Sequence, residues 1–292
     1  MNKFETIVLE TIQYPGFDFY NYYTIAERIN HTYSIGKIPM IRLCENQNKR
    51  PLIAVLLGRD KHPDRAEADY GLTRWVVESM LNYDLYPVFI SYEKTAEQLR
   101  RWKPVGIVLP GGSYHFPAQL LAYQNPNWSG APDFTRFDAN KLALQYAVLH
   151  RLPTLGLCAG MQVIAGHLGA KMAHIKCAAP ETTIAHYSHN TMHTVDIEKD
   201  SDLFKITGAK KYDSNSFHNS MLCPDFCAGL KISAKSSDGI IEAIEPKEKD
   251  KWNKFVIGTQ WHAEKMAVLG DKNNPDAKIF QAFAESVSMR KR

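Results

Sequence analysis

The residues in this chain best placed to do chemistry are Gly156-Leu157-Cys158-Ala159-Gly160. They lie between a continuous apolar run and a stretch with helical spacing. A nucleophile at such a junction stands on a tight, strained strand-to-helix turn, so the residues two positions away on either side must be small. The turn also aims Cys158 at a helix N-terminus, where the dipole and free N–H groups favour thiolate over thiol. The N–H of Ala159 can then face a developing oxyanion. The competing structural reading is a small buried cysteine beside glycines that let helix and strand pack closely. At ordinary glycine frequency, such flanking arises by chance with odds of about 2% over five cysteines.

A base for that thiol is available in Gln260-Trp261-His262-Ala263-Glu264. On a continuing strand His262 and Glu264 project the same way, and they can also meet through a turn. A carboxylate that accepts one imidazole N–H leaves the other ring nitrogen free to serve a thiol. Pro110-Gly111-Gly112 follows a third apolar run, and glycines there let backbone N–H groups approach a ligand closely. Taken together, the three segments suit acyl transfer with Cys158 as nucleophile, His262 as base and Glu264 as its orienter.

The surrounding pattern alternates strand and helix. Strands are expected at Leu52–Leu57, Tyr86–Ser91, Val105–Leu109 and Pro153–Leu157, and helices at Ala66–Leu81, Thr95–Trp102, Asp138–Leu149 and Ala159–Leu168. Continuous apolar strands between helices imply a doubly wound, mostly parallel sheet. Beyond residue 190 the expected strands are Val195–Ile197, Leu230–Ala234, Ile240–Ile244 and Phe255–Gln260, with a hairpin at Asp238-Gly239 and a closing helix at Pro275–Val287. The sheet should therefore be mixed. Residues 1–50, rich in Tyr and Phe, read as an extension ahead of a catalytic domain over 51–292. So many aromatic side chains call for cover, from the main domain or from the second subunit of a homodimer.

Composition narrows the class. The chain has 292 residues, 45% hydrophobic and 23% charged, with a net charge of +4 and scattered basic residues. That is ordinary globular composition without a basic stripe, so nucleic acid is not an expected partner. Five cysteines without framework spacing suit free thiols in a reducing compartment. The N-terminus does not read as a signal peptide, and no apolar run reaches membrane-helix length, so a cytoplasmic protein is expected. No cofactor is called for. A metal site built from His186, His189, His193, Cys223 and Cys227 is disfavoured, because His186 and His189 point oppositely on a strand and Cys223-Pro-Asp-Phe-Cys227 is not the usual zinc knuckle.

These elements, in this order, resemble the class I glutamine amidotransferase superfamily, and within it the γ-glutamyl-γ-aminobutyrate hydrolases. Ile107–Gly112 is similar to the family's oxyanion loop, Leu155–Gln162 to its elbow, Asn215-Ser-Phe-His218 to its Asn-Ser-x-His segment, and Ser237–Glu245 and Gly258–Glu264 to the end of the domain. The resemblance implies a Cys158-His262-Glu264 triad and oxyanion N–H groups from Gly112 and Ala159. It implies that Gln162 and Ser216, Phe217 and His218 hold the glutamyl end of a small γ-glutamyl substrate. The chain departs from the pattern at Ala159, where Arg is common, at Ala263, where Pro is usual, at Asn219 in place of a second His, and at Ser113-Tyr-His115, which lacks an acidic residue. Several of these changes fall where a leaving amine would sit. Hydrolysis of a γ-glutamyl amide is the expected activity. The alternatives are a glutaminase serving a synthase on a separate chain, and a catalytically silent binding protein of the same fold.

Overall fold

The computed structural model describes residues 51–60, 69–71, 74–112, 116–122, 132–271 and 273–289. The expected extension over 1–50 lies outside the described residues. The first strand, β1 (Leu52–Leu56), is followed by β2 (Gly58–Asp60) and β3 (Asp69–Gly71), which pair with each other antiparallel. This corrects the helix expected from Ala66: α1 runs only Arg74–Leu81. Gly71, a weak helix former, instead pairs with Gly58.

Then come β4 (Tyr86–Ile90), α2 (Thr95–Trp102), β5 (Gly106–Leu109), α3 (Phe134–Leu149), β6 (Thr154–Leu157) and α4 (Ala159–His167). α3 starts one turn earlier than its apolar pattern suggests, because the Asp133 side chain accepts from the Arg136 N–H at 3.0 Å. Next are β7 (Met172–His174), α5 (Ile175–Ala178), β8 (Tyr187–Ile197), α6 (Asp202–Thr207), β9 (Lys211–Phe217) and β10 (Ser220–Leu222). The chain closes with β11 (Leu230–Ser236), β12 (Ile241–Pro246), β13 (Val256–Thr259), α7 (Ala263–Leu269) and α8 (Pro275–Ser288).

Nine strands form one sheet in the order β4-β1-β5-β6-β13-β12-β11-β8-β9. The pairs from β4 through β13 are parallel, and those from β13 through β9 are antiparallel. The mixed sheet matches the expectation, as does the Asp238-Gly239 turn between β11 and β12, where Gly239 takes φ 86°.

Both faces of the parallel half are covered. Ala54 and Leu56 pack with Ala143 and Leu144 of α3 and Ile164 of α4. Ile53 and Val55 pack on the opposite face with Val76 and Met80 of α1 and Phe280 and Phe283 of α8. Burial on both faces is why these strands are apolar at every position rather than at every second one. Among the described residues, no helix is long and apolar enough to cross a membrane.

Candidate active site

The parallel strands β5, β6 and β13 are neighbours in the sheet, and the three chemistry-bearing segments follow their C-terminal ends. Ligands of open α/β sheets collect at that edge, because the loops there surround a crevice. Sequence distance disappears: Gly111, Cys158 and His262 become adjacent. A side chain at Gly111 would come within 2.8 Å of His262 Cε1 and 3.2 Å of Cys158 Cβ.

Cys158 has φ 51° and ψ −108°. A non-glycine residue in that region is strained, and the strain persists only where the surroundings over-determine it. Here the Cys158 N–H donates to the Thr259 carbonyl at 2.7 Å, and α4 begins at the next residue. The flanking glycines are required by packing. A Cβ on Gly160 would lie 1.9 Å from the Leu109 oxygen, and one on Gly156 would lie 2.7 Å from the Gly160 oxygen. The close helix–strand packing and the strained cysteine are two parts of one turn. The glycines allow α4 to approach the sheet, and the positive φ is confined to Cys158.

His262 does not sit on a continuing strand. β13 stops at Thr259, and His262 caps α7, so Glu264 reaches the ring from the first helical turn. His262 Nδ1 lies 2.7 Å from Glu264 Oε1, whose side chain is buried. The Nδ1–H can therefore donate to the carboxylate while Nε2 serves the sulfur. Ala263, where the resembled family usually has Pro, occupies the first helical position and keeps the helix start intact.

Burial opposes ionisation of Cys158. The charge and hydrogen bond of His262, helped by His218, outweigh it, so the thiol titrates below its ordinary value. Burial also opposes protonation of His262, yet the Glu264 carboxylate and the thiolate raise it well above the usual imidazole range. The pair is thus arranged as thiolate and imidazolium.

Three supporting residues escaped sequence reasoning as individuals. Asn215 holds both backbone polar groups of His262: its Nδ2 donates to the His262 carbonyl and its Oδ1 accepts from the His262 N–H, each at 3.0 Å. Gln260 Nε2 lies 3.6 Å from Cys158 Sγ as a donor to it. Buried Arg136 donates to the Gly111 carbonyl at 3.5 Å and so braces the glycine loop. Asn215 and Gln260 both stood inside recognised motifs, but nothing local says where their amides point. Arg136 carried no signal.

The residues expected around the substrate fall into two groups. Phe217 lies at the thiol, its carbonyl 4.0 Å from Cys158 Sγ and its ring stacked on Tyr187 at 4.9 Å. Gln162, Ser216 and His218 are buried behind it. The Gln162 amide donates to the Ser220 carbonyl at 3.2 Å and to Gln260 Oε1 at 2.8 Å, and Ser216 Oγ lies 3.0 Å from His186 Nδ1. Gly112, expected at the oxyanion, has φ 115°, and Ala159 opens α4. Residues 113–115 lie outside the described residues.

The mixed sheet, its first half parallel, and the cysteine elbow make this a class I glutamine amidotransferase-like α/β protein. Residues 51–264 match the Peptidase C26 family model, and the chain belongs to that family of glutamine amidotransferase-like hydrolases. It is 30% identical over 184 residues to the glutamine amidotransferase-like protein YvdE of Lactococcus lactis, a match spanning 61% of this chain and 72% of the relative. Over 198 residues it is 28% identical to the glutamine-hydrolysing GMP synthase of Streptococcus mutans, covering 67% of this chain but 32% of the synthase. The glutaminase domain of Trypanosoma brucei CTPS, solved with bound acivicin, shares the fold with a TM-score of 0.55 at 19% identity, over 82% of this chain and 94% of that domain.

Proposed function

We propose that the protein hydrolyses the γ-glutamyl amide bond of a small substrate through a Cys158 thioester, releasing an amine and then glutamate. The observation that carries this reading is the geometry at Cys158: a cysteine at φ 51° on a strand-to-helix turn, beside an imidazole whose far nitrogen is 2.7 Å from a buried carboxylate. The thiolate attacks the side-chain carbonyl, and the Gly112 and Ala159 N–H groups stabilise the oxyanion. The His262 imidazolium gives its proton to the leaving amine. The neutral ring then takes a proton from the water that opens the thioester, and glutamate leaves.

In this reading Phe217 faces the substrate directly. Gln162, Ser216 and His218 act from behind it, Gln162 by holding Gln260 against the sulfur. A pocket that hydrogen-bonds the glutamyl α-amino and α-carboxylate groups discriminates strongly on the acyl side. The departures at Ala159 and Asn219 leave the amine side to be defined by experiment.

The test compares γ-glutamyl amides with matched amides lacking either α-group, reading glutamate and amine release. Strong preference for the intact glutamyl group, abolished in Cys158→Ala, supports the proposal. Equal kcat/KM for both sets would reject the glutamyl pocket. The similarity to glutamine-hydrolysing GMP synthase favours a second reading, a glutaminase supplying ammonia to a synthase on another chain. That reading requires ammonia release from glutamine to rise when the partner is added, and a substrate preference for glutamine over its N-substituted amides.

A further inference from the structure

Behind the thiol, in the antiparallel half of the sheet, Glu242 of β12 is fully buried, and among the described residues neither of its carboxylate oxygens has a hydrogen-bond partner. Three imidazoles surround it. His186 Nδ1, His193 Nε2 and His218 Nε2 lie 3.6, 3.5 and 3.4 Å from the same oxygen, Oε1. All three side chains are at least nine-tenths buried; among the described residues His193 Nε2 and His218 Nε2 have no hydrogen-bond partner, whereas His186 Nδ1 also lies 3.0 Å from Ser216 Oγ. A buried carboxylate with nothing bonded to it is costly, and several buried unsatisfied groups aimed at one point require a cause.

Each ring is already held by its other nitrogen. His186 Nε2 lies 3.0 Å from Asp238 Oδ2, and Asp238 is itself bonded to Thr182 and Ser236. His218 Nδ1 faces the Ser220 carbonyl at 3.0 Å, and His193 Nδ1 faces the Thr194 carbonyl at 3.4 Å. A proton on the outer nitrogens of His186 and His193 leaves their inner nitrogens able to present lone pairs beside Glu242, while His218 carries the charge that helps lower Cys158. Imidazoles that donate outward to a carboxylate or carbonyl and present the other nitrogen inward are arranged as metal ligands are.

The spacing agrees. Ligands about 2.0–2.1 Å from a tetrahedral zinc ion stand roughly 3.3–3.4 Å apart. The separations from Glu242 Oε1 to His186 and His193, 3.6 and 3.5 Å, are near that edge length. The donor atoms of His186, His193 and Glu242 all lie within 4.8 Å of one another.

We propose that His186, His193 and Glu242 bind a divalent transition-metal ion of the zinc class. Imidazole nitrogen with one carboxylate oxygen suits Zn²⁺ or Co²⁺ rather than Ca²⁺ or Mg²⁺. The cation neutralises the buried carboxylate and ties β8 to β12. The ligands lie next to the strap that touches the nucleophile, since the His218 N–H donates to the His186 carbonyl at 2.9 Å and the Phe217 carbonyl is 4.0 Å from Cys158 Sγ. The ion is thus a structural one that steadies this strap.

The full-length protein, stripped with a chelator, is titrated with Zn²⁺ and, separately, with Co²⁺. One ion per chain is expected, with a rise in Tm and a Co²⁺ visible spectrum of a nitrogen–oxygen site without thiolate charge transfer. Glu242→Gln and His193→Gln should each weaken binding by about 100-fold or more, as removal of a ligand must exceed the loss from disturbing its supporting shell. Cys158→Ala should bind undiminished. Failure of the wild-type chain to bind either ion, or to change Tm, would overturn the proposal and leave a buried Glu–His ion pair. Binding lost in Cys158→Ala, or retained in both folded ligand variants, would overturn it by placing the ion elsewhere.

Discussion

In the parallel half of the sheet, the ionisable groups stand beyond strand ends and are paired, Cys158 with His262 and His262 with Glu264, with Glu264 Oε2 alone of their polar atoms unpartnered among the described residues. In the antiparallel half, Glu242, His186, His193 and His218 are buried among strands, and several of their polar atoms have no partner among the described residues. The first region uses backbone strain and a helix start to set a buried sulfur beside an imidazole. The second uses the close spacing of neighbouring strands to collect donors in the interior. Perturbed charge at the crevice points to chemistry, whereas a fully buried, unsatisfied cluster points to a missing counter-charge.

The strongest way to break the comparison is to remove the thiol or its base. Cys158→Ala and His262→Ala should each reduce kcat by as much as roughly 10⁶-fold, since the members of a triad act as a unit. Turnover by either variant near the wild-type value would end the catalytic assignment of this crevice. Glu264→Ala should cost less, about 10⁴-fold in kcat, because an unoriented ring still acts part of the time. Equal losses for Glu264→Ala and His262→Ala would mean that Glu264 does more than orient.

The charge arrangement makes a smaller, sharper claim. Burial pushes Cys223 above its ordinary value and Cys227 to about 11, whereas Cys158 is lowered. Limiting iodoacetamide at neutral pH should therefore alkylate Cys158 first, by peptide mapping. The kcat/KM profile should rise with pH as the thiolate–imidazolium pair forms, below the ordinary thiol value of 9.0, and fall as His262 loses its proton, above the ordinary imidazole value of 6.5. A basic limb at or below 6.5 would contradict the imidazolium form.

The smallest effect concerns stability. Burial raises Asp276 from 3.8 to about 7, against the hydrogen bonds it accepts from Trp261 and Tyr212, so it is protonated in the fold at mildly acidic pH. The native state then binds a proton that the unfolded chain has released. This contribution is complete below about 4, falls as pH rises, and is gone above about 7. Asp276→Asn should remove that fall while keeping an oxygen for the Trp261 N–H, which donates at 2.7 Å. Denaturant unfolding at several pH values checks it, and an unchanged slope in the variant would show that Asp276 is not the group responsible.

Much of the crevice was legible in the chain. Gly156 and Gly160 around Cys158 encode a turn whose local geometry needs them, and the apolar runs of β1, β5 and β6 encode burial on both faces. The antiparallel half was far less so. β9 reads Lys-Tyr-Asp-Ser-Asn-Ser-Phe and carries no apolar alternation, because its pairing with β8 rests on backbone hydrogen bonds and its side chains serve His186, His262 and the region around them. β8 runs from Tyr187 rather than from Val195, since its first residues earn their place by pairing with β9. His186 and His193 were visible as histidines, but the sequence offered cysteines as their companions. Cys227 Sγ instead contacts the Cys223 carbonyl at 3.2 Å, and the side chain of His189 lies outside the described residues.

The sequence by itself determined the parallel α/β core, the elbow at Cys158 and the residues proposed as the triad, because each rests on contacts between neighbours in the chain or on a pattern of burial. The tertiary structure alone decided that β13 ends before His262, so that Glu264 meets the ring from a helix. It alone turned the amides of Asn215 and Gln260 onto His262 and Cys158 and gathered three histidines around Glu242. Those outcomes depend on strand order and register between segments tens of residues apart, and no local preference for a residue type records which strand will lie beside it.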